Sequence, residues 1–271
     1  MRPVDIHECH RILLEMAQAF DRICRKHRIP YYMLGGTMLG AVRHQGFIPW
    51  DDDMDFGVPR ADFSRLADIL SEELPAHMRI LTFGKGNLVF SNFMKMDNTR
   101  TLIVDSSHDK TSGLGINIDI FPLDDGRKTR PGTRLLVSCV LFLLQIKDYL
   151  YFDPDQIRKG IKKWIAKLLR RFCPVRIDQL LKYIERCICK YSVHDSAFYI
   201  NFYGVWRLRE MMPKHYFGTP KEYPFEQIRL WGVTHPDAYL SRLYGNYMQL
   251  PPEDKRAVHI MEMYYRDPDG T

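Results

Sequence analysis

Apolar positions in the first half of the chain follow two different periods. Between residues 4 and 26 they recur every three or four positions, which predicts an amphipathic helix that ends at Ile29-Pro30. A helical turn is predicted from Met38 to Arg43, and a further helix from Ala61 to Glu73. Alternating or short apolar runs predict strands at Tyr31–Leu34, Met54–Val58, Arg79–Phe83, Leu88–Met96, Leu102–Asp105 and Ile116–Phe121, with a turn at Gly84–Asn87.

The pattern changes after residue 126. Residues 127 to about 191 have a helical period without a strong strand signal, aromatic residues and prolines return after Phe198, and a short helix is predicted at Pro236–Tyr247. We therefore predict an α+β fold in a single domain over residues 1–271, in which a mixed sheet carries a helical insertion. The predicted parts are a core at 1–126, the insertion at 127–197 and a C-terminal part at 198–271 that completes the site.

The composition is that of an ordinary globular protein, with 45% apolar and 27% charged residues. These values exclude intrinsic disorder and small disulfide-stabilised scaffolds. The six cysteines form no C-x-x-C pair, which favours thiols in a reducing compartment. The longest apolar run, residues 135–146, has twelve residues, whereas a membrane-spanning helix needs about 20. A cytoplasmic location is therefore predicted.

Four carboxylates lie within five residues, at Asp51, Asp52, Asp53 and Asp55. If residues 53–58 form a strand, Asp53 and Asp55 share one face, about 6–7 Å apart. Two like charges at that distance are unfavourable unless a cation bridges them, and hard divalent ions prefer carboxylate oxygens. The alternative is a solvated acidic turn.

A further carboxylate, Asp119, lies within the apolar run Ile116–Phe121. An aspartate in a buried strand is costly unless it is paired or binds a metal, although it could instead cap local backbone donors. Upstream, Gly35, Gly36 and Thr37 lie between a strand and a helical turn, where backbone N–H groups can approach a phosphate. A glycine pair at a helix start, two aspartates on one strand and a third aspartate on a later strand are together the layout of a metal-dependent phosphotransfer site.

Three motifs resemble those of the LicD/fukutin family. Residues 35–55, with the sequence GGTMLGAVRHQGFIPWDDDMD, resemble the family signature, Ile118–Leu123 resembles its second motif, and Tyr244–Arg256 resembles its C-terminal motif. The motifs span almost the whole chain. The chain departs from the C-terminal motif at Asn246, where many relatives carry an aspartate, so this position supplies no carboxylate.

The resemblance implies a nucleotidyltransferase-like fold related to the polymerase-beta superfamily. It also implies transfer of phosphocholine, or a related phospho-alcohol, from CDP-choline or a similar CDP-alcohol, with release of CMP. The acceptor would be a sugar hydroxyl of a cell-surface glycan, such as lipopolysaccharide or teichoic acid, or of its lipid-linked precursor. By motif position, Asp53, Asp55 and Asp119 match the metal-binding residues, and Asp51 is a neighbouring acidic residue.

A mechanism follows from these assignments. Mg²⁺ or Mn²⁺ held by the metal-binding aspartates would bind the donor pyrophosphate, and Asp119 or Asp51 would accept the proton of the acceptor hydroxyl. Gly35, Gly36 and Thr37 would bind phosphate oxygens. Arg43, His44 and Lys95 would offset negative charge, although packing is the alternative for the first two and simple surface exposure for Lys95. A choline pocket needs aromatic faces, and the candidates are Tyr203, Trp206, Trp231 and Tyr244.

Residues 156–177 contain eight basic side chains and no acidic ones, with apolar residues at helical spacing. The pattern is typical of a basic amphipathic helix that contacts an anionic membrane surface, here the inner face of the membrane. The alternative is a helix packed on the core with a solvated basic face. These eight positive charges exceed the net charge of the whole chain, which is +6. The rest of the chain is therefore slightly acidic. Nucleic acid is not expected as a partner, since aromatic residues do not interleave with the charges.

Two other functions stay open at this point. A nucleotidyltransferase that moves an NMP group would release pyrophosphate instead of CMP. A non-catalytic membrane scaffold is the other alternative, but the intact aspartate set argues against it.

Overall fold

The computed structural model describes residues 1–82, 92–104, 113–127, 129–151, 161–172, 175–253, 256 and 262–266. Within these ranges the helices are α1 (Ile6–Lys26), α2 (Gly35–Arg43), α3 (Arg60–Glu73), α4 (Arg130–Tyr151), α5 (Ile161–Phe172), α6 (Ile177–Tyr191), α7 (Lys214–Phe217) and α8 (Pro236–Tyr244), with a 3₁₀ helix at Arg207–Glu210. The strands are β1 (Arg2–Pro3), β2 (Tyr32–Met33), β3 (Asp55–Pro59), β4 (Met78–Leu81), β5 (Met94–Asn98), β6 (Thr101–Val104), β7 (Asn117–Asp125), β8 (Phe198–Ile200), β9 (Met211–Pro213), β10 (Lys221–Phe225), β11 (Ile228–Gly232) and β12 (Glu262–Tyr265).

The main sheet has the strand order β2-β3-β7-β5-β4, and β8 and β9 extend it beyond the end of β7. β3 and β7 run parallel, whereas the other pairs of this sheet are antiparallel. A parallel pair cannot be joined by a tight turn, and here α3 and three strands lie between its members. β1, β12 and β6 form a second sheet, and β10 and β11 a hairpin. The prediction of a mixed sheet combined with helices is confirmed at this level.

Helix α1 confirms the first predicted helix and covers the main sheet. It begins with a capping box, in which Glu8 N–H donates to Asp5 Oδ1 (2.8 Å) and Asp5 N–H donates to Glu8 Oε2 (3.4 Å). Its apolar stripe is fully buried at Leu13, Met16 and Phe20. This face packs on β7, α3 and β11, so a long amphipathic helix closes one side of the core.

The strand predictions are right in place and shifted at their ends. β4, β5, β6 and β7 overlap the four predicted strands between residues 79 and 121. The predicted turn at 84–87 lies outside the described residues. The final helix ends at Tyr244, three residues earlier than predicted. The strands from β8 to β11 were not predicted, because runs of three to five residues are too short to establish a period.

The helical segment forms a core of its own. Val137 and Val140 of α4 and Ile184 and Ile188 of α6 are buried together with Ile200 of β8. Helix α5 contacts α4. The helical prediction is therefore confirmed for the described part, while the unit boundaries at 126 and 197 stay predictions. Among the helices that the structure describes, none is long and apolar enough to cross a membrane.

An ion-pair network centred on the buried Asp124 joins this segment to the main sheet. Arg60, at the start of α3, donates from Nε and Nη2 to the two oxygens of Asp124 (2.7 and 2.9 Å) and from Nη1 to Glu185 Oε1 of α6 (2.6 Å). Burial raises the pKa of Asp124 to about 6, against the opposing charge of Arg60. Asp124 and Asp125 closely follow Pro122 in the sequence, which favours a turn, but β7 continues through the proline to Asp125 and ends at this network.

Candidate active site

Asp55, Asp119 and Lys95 form a row across the centre of the main sheet. Asp55 of β3 is the register partner of Asp119 of β7, and Asp119 is the register partner of Lys95 of β5. Register partners on neighbouring strands lie ~4.8 Å apart and point to the same face. The flanking residues are buried on the opposite face, namely Met54, Phe56, Ile118, Ile120, Met94 and Met96. Period-two alternation in three strands thus places all three polar side chains on one face.

Lys95 is part of this site rather than an exposed surface lysine. Its ammonium donates to Asp119 Oδ1 (2.5 Å) and to Asn117 Oδ1 (3.0 Å). The side chains of Lys95 and Asp119 are only 18% and 22% exposed. Lys95 therefore supplies one positive charge beside the central carboxylates, while its role in offsetting charge on a bound phosphate stays a prediction.

Asp51, Asp52 and Asp53 form a compact group before β3. One ligand atom from each lies within 4.8 Å of those of the other two. Helix α1 positions the backbone of this segment, since His10 Nε2 donates to the Asp51 carbonyl (2.7 Å) and Cys9 Sγ donates to that of Asp52 (3.7 Å). The expectation that Asp53 and Asp55 share a strand face is wrong, because β3 begins at Asp55. Asp53 instead groups with the two preceding aspartates.

Negative charge is concentrated around Asp55. Burial raises the pKa of Asp55 well above its usual range, and the carboxylates of Asp53, Asp119 and Asp51 raise it further, against the opposing charge of Lys95. Three neighbouring carboxylates thus disfavour the ionised form of Asp55, and the ammonium of Lys95 favours it. A divalent cation would reverse the balance by favouring the ionised forms.

Two glycines bring the start of α2 against these carboxylates. A Cβ built on Gly35 would lie 3.2 Å from Asp55 Oδ2, and one on Gly36 would lie 2.6 Å from Asp51 Oδ2. Gly35 also has φ +48°, which disfavours other residues. The two glycines are the first residues of α2 rather than a separate turn before it. The positive end of the helix dipole therefore faces the acidic residues.

Some polar groups at this helix start already have partners within the fold. Gly35 N–H donates to the hydroxyl of Tyr239 (3.0 Å), and Thr37 Oγ1 accepts from Asp55 N–H (2.8 Å). The phosphate-binding role predicted for Gly35, Gly36 and Thr37 stays a prediction.

Arg43 and His44 lie at the opposite end of α2, which is nine residues long, or about 13 Å. Arg43 donates from Nε to His44 Nε2 (3.0 Å) and from Nη1 to the Tyr247 carbonyl (2.8 Å). Burial lowers the pKa of His44, and the charge of Arg43 lowers it further, so a neutral imidazole accepts this bond. These contacts attach the C-terminal segment to α2. They agree with the alternative that Arg43 and His44 serve packing within the fold. A role in offsetting phosphate charge stays a prediction.

Comparison with known proteins identifies a family domain within the chain. Residues 28–134 match the family profile described as LicD/FKTN/FKRP, nucleotidyltransferase domain. The chain carries a LicD/fukutin family domain. The resemblance inferred from the three sequence motifs is therefore confirmed.

Relatives of the LicD/fukutin domain include bacterial and animal proteins. The chain is 29% identical over 97% of its length to the lipopolysaccharide cholinephosphotransferase LicD of Haemophilus influenzae, of which 99% is covered. It is 34% identical over 24% of its length to the human ribitol 5-phosphate transferase FKRP, of which 13% is covered. It is also 42% identical over 60 residues to the uncharacterized protein RP689 of Rickettsia prowazekii. That match covers 22% of this chain and 23% of RP689.

Aromatic residues from beyond the matched region of the LicD/fukutin domain reach the acidic site. Tyr244 of α8 lies next to Gly35, with its hydroxyl 3.7 Å from a Cβ built there. Its ring packs edge-on against Trp206, with ring centres 5.1 Å apart. Burial raises the pKa of the Tyr244 hydroxyl, and the charge of Asp55 adds to this shift. Of the four candidate aromatic residues, Trp206 and Tyr244 are therefore the pair at the site.

The other two candidates have different surroundings. Trp231 packs against Tyr31, with ring centres 5.3 Å apart, and beneath the guanidinium of Arg25 at 4.5 Å. Tyr203 packs against Phe93, at 6.0 Å between ring centres. Both contacts are those of residues that support the fold.

The C-terminal motif also contacts the acidic segment. The Arg256 guanidinium lies 5.0 Å from the ring centre of Trp50, the residue before Asp51. Asn246, the position at which the chain departs from the motif, is exposed and donates to Gln249 Oε1 (3.3 Å).

Sequence reasoning missed two residues of the site, Asn117 and Tyr239. Asn117 was open to prediction, because it lies two positions before Asp119 and therefore on the same strand face. Tyr239 carried no such signal, since its bond to Gly35 joins segments 204 residues apart.

Proposed function

We propose that this protein transfers phosphocholine, or a related phospho-alcohol, from a CDP-activated donor to a sugar hydroxyl of a cell-surface glycan or its lipid-linked precursor. The carboxylates around Asp55, facing the glycine-rich start of α2, are the observation that carries the proposal. The names of the relatives agree with it, because a cholinephosphotransferase and a ribitol 5-phosphate transferase both move a phosphorylated alcohol. The core would then belong to the nucleotidyltransferase-like folds, and the enzyme would work in the cytoplasm.

The donor set fits Mg²⁺ or Mn²⁺. A hard cation with metal–oxygen distances near 2.1 Å holds ligand oxygens about 3–4 Å apart. The carboxylates of Asp51, Asp52 and Asp53 offer atoms within 4.8 Å of one another. Asp55 and Asp119 are register partners on the adjacent strands β3 and β7, and both Asp53 and Asp119 act electrostatically on Asp55. We propose Asp53, together with Asp55 and Asp119, as the residues that hold the ion. When bound, the ion would neutralise charge on the donor pyrophosphate.

The chain's own residues supply binding and proton transfer. The backbone N–H groups of Gly36 and Thr37, in the first turn of α2, would bind phosphate oxygens. Lys95 would add a positive charge beside them. Asp119 or Asp51 would accept the proton of the acceptor hydroxyl while its oxygen forms the new bond to phosphorus. The bond between that phosphorus and the oxygen of CMP breaks in the same transfer, so CMP leaves with the bonding electrons.

Trp206 and Tyr244 are the proposed contacts for the alcohol headgroup. A quaternary ammonium is attracted to aromatic faces within about 6 Å of their centres. The two rings are inclined at 80° to each other, and Tyr244 lies beside Gly35, so a headgroup placed there would stay close to a phosphate at the start of α2. This placement favours choline over an uncharged alcohol.

The test is an assay of products with purified protein, a glycan acceptor that lacks phosphocholine, and CDP-choline, with and without Mg²⁺. We expect CMP and a phosphocholine-modified glycan, both of which are lost with EDTA and restored by Mg²⁺ or Mn²⁺. Release of pyrophosphate from CTP, without CMP from CDP-choline, would support the nucleotidyltransferase alternative. If the protein turns over neither CTP nor any CDP-alcohol, the result would support a non-catalytic role.

A further inference from the structure

Helix α5 presents an apolar stripe to solvent. Trp164, Leu168 and Phe172 are 77%, 60% and 72% exposed. They are four residues apart, so they lie within one narrow strip along the helix, and Ile165 borders the strip. A helix that packs on a core buries this face. The alternative of a helix packed on the core with only a solvated basic face therefore fails for these residues.

Basic residues flank the stripe. Lys167, Arg170 and Arg171 are exposed, and at 3.6 residues per turn they lie on the side of the helix adjoining Trp164. No acidic residue occurs between residues 156 and 177. Of that predicted range, residues 156–160 and 173–174 lie outside the described residues, and α5 itself covers 161–172. The described helix thus combines an exposed apolar stripe with flanking charges that are all positive.

Helix α4 adds exposed apolar residues to the same helix pair. Leu135 and Phe142 are 67% and 63% exposed, and they lie seven residues, or two turns, apart on one face. Arg170 Nε donates to the Tyr149 carbonyl of α4 (3.4 Å), which connects the two helices. The rest of the segment is held to the core through Glu185 and Arg60.

We propose that α5 docks the protein on the surface of an anionic lipid bilayer, with Trp164, Leu168 and Phe172 inserted between the headgroups. Charge complementarity selects this occupant, because Lys167, Arg170 and Arg171 would face anionic lipid headgroups while the apolar stripe enters the acyl boundary. An apolar partner surface, such as a second copy of α5, would bring these positive charges together. The helix lies in the surface rather than across it, since α5 has only twelve residues and a span needs about 20.

Flotation of the purified full-length protein with vesicles tests the docking. One set of vesicles is pure phosphatidylcholine, and the other is an equal mixture of phosphatidylcholine and phosphatidylglycerol. We expect preferential binding to the mixed vesicles that weakens with added salt. Trp164→Glu combined with Leu168→Glu should reduce the partition coefficient at least about tenfold, and Lys167→Glu combined with Arg171→Glu should do so for the mixed vesicles.

Val104→Glu is the matched control, because Val104 is also an exposed apolar residue (42%) but lies on β6. Equal binding of the wild type to both vesicle sets, or unchanged binding after the α5 substitutions, overturns the proposal. A wild-type dimer that the same substitutions make monomeric, without vesicle binding, overturns it in favour of a second copy. CMP release is measured in parallel with a water-soluble acceptor, so a loss of docking is distinguished from a loss of the active site.

Discussion

Asp55 and Asp119 are register partners on adjacent parallel strands, and their carboxylates point to the same face of the sheet. Two like charges in this arrangement destabilise the sheet unless a cation lies between or beside them. Lys95 contacts Asp119, but Asp53 and Asp51 add further negative charge around Asp55. The arrangement makes ionisation of Asp55 unfavourable in the fold, which supports the proposal that a cation binds beside it.

Substituting either residue should separate function from stability. We expect Asp55→Asn to lower the rate of CMP release by about 10²–10³, the usual cost of removing one electrostatic contact to a transition state. The free energy of unfolding should stay the same or rise, because one of four crowded carboxylates becomes neutral. Asp119→Asn should lower the rate similarly. Steady-state kinetics and urea denaturation measure the two effects.

Asp62→Asn on α3 serves as the control, since this aspartate pairs loosely with Arg65 on the surface (4.0 Å). It should change neither quantity. Wild-type turnover by Asp55→Asn would contradict the assignment of the site.

Gly36 is expected to be required for activity because it leaves room for Asp51. A Cβ at this position would lie 2.6 Å from Asp51 Oδ2, so Gly36→Ala should displace the carboxylate and reduce kcat/KM by more than about tenfold. Helix stability should not fall, since alanine favours helix over glycine. Gly132→Ala in α4 is the control, because its Cβ would also meet a side-chain oxygen, that of Thr129 at 2.9 Å, but outside the site. Equal effects of the two substitutions on activity would argue against a positioning role.

Trp206 should determine the preference for a cationic headgroup. Loss of one cation–π contact costs about 0.5–2 kcal/mol, so Trp206→Leu should weaken the binding of CDP-choline roughly two- to thirtyfold. Binding of the uncharged CDP-glycerol should change little. Competition binding of both nucleotides measures the ratio, and Trp231→Leu is the control because Trp231 packs under Arg25. A parallel loss for both nucleotides would assign Trp206 a purely structural role.

The sequence was most informative where one local period decides the structure. The stripe of α1 and the alternation around Asp55 and Asp119 depend on neighbours within a few residues, so both were predicted. The acidic cluster was also predicted, because its four aspartates lie within five residues of the sequence. The long motif of residues 35–55 was specific enough to indicate the family domain that the comparison found at residues 28–134.

Features that depend on distant partners could not be read in this way. The bond between Gly35 and Tyr239 and the contact of Trp206 with Tyr244 join segments that the strands of the C-terminal part bring together. The grouping of Asp53 with Asp51 and Asp52 depends on where pairing of β3 begins. Strand ends are set by the neighbouring strand, so one sequence cannot locate them. Asp124 followed a proline and so resembled a turn residue, whereas its partner Arg60 is 64 residues away.

The Arg60 network should contribute strongly to stability. Arg60→Met leaves the Asp124 carboxylate, which is 1% exposed, without its bidentate partner, and breaking a buried pair in this way costs about 3–5 kcal/mol. Combining it with Asp124→Leu should recover part of the loss, because the uncompensated buried charge is removed as well. Arg65→Met, on the exposed face of the same helix, should cost less than about 1 kcal/mol. Urea denaturation of the wild type, Arg60→Met, Asp124→Leu and the double variant measures the coupling, and additive losses would show that the two residues act independently.

Glu210 predicts how stability depends on pH. It is 7% exposed beneath the loop that carries Trp206, and burial raises its pKa from 4.5 to about 7, against a backbone hydrogen bond from Trp206. Because the folded state holds the proton more tightly than the unfolded state, this group's contribution to stability is full below pH 4.5 and is lost as the pH rises through about 7.

The loss should reach roughly 3 kcal/mol between these limits, since one pKa unit corresponds to about 1.4 kcal/mol. Glu210→Gln keeps the shape and stays neutral, so it should match the wild type in acid and exceed it in stability above neutral pH by up to this amount. Urea denaturation across the pH range measures the difference, with Glu72→Gln as the exposed control. If the free energies of unfolding of the wild type and Glu210→Gln differ by the same amount on both sides of neutral pH, Glu210 does not titrate in this range. Because Glu210 lies beneath Trp206, a confirmed shift would also predict that the proposed headgroup contact weakens in alkaline solution as the loop loosens.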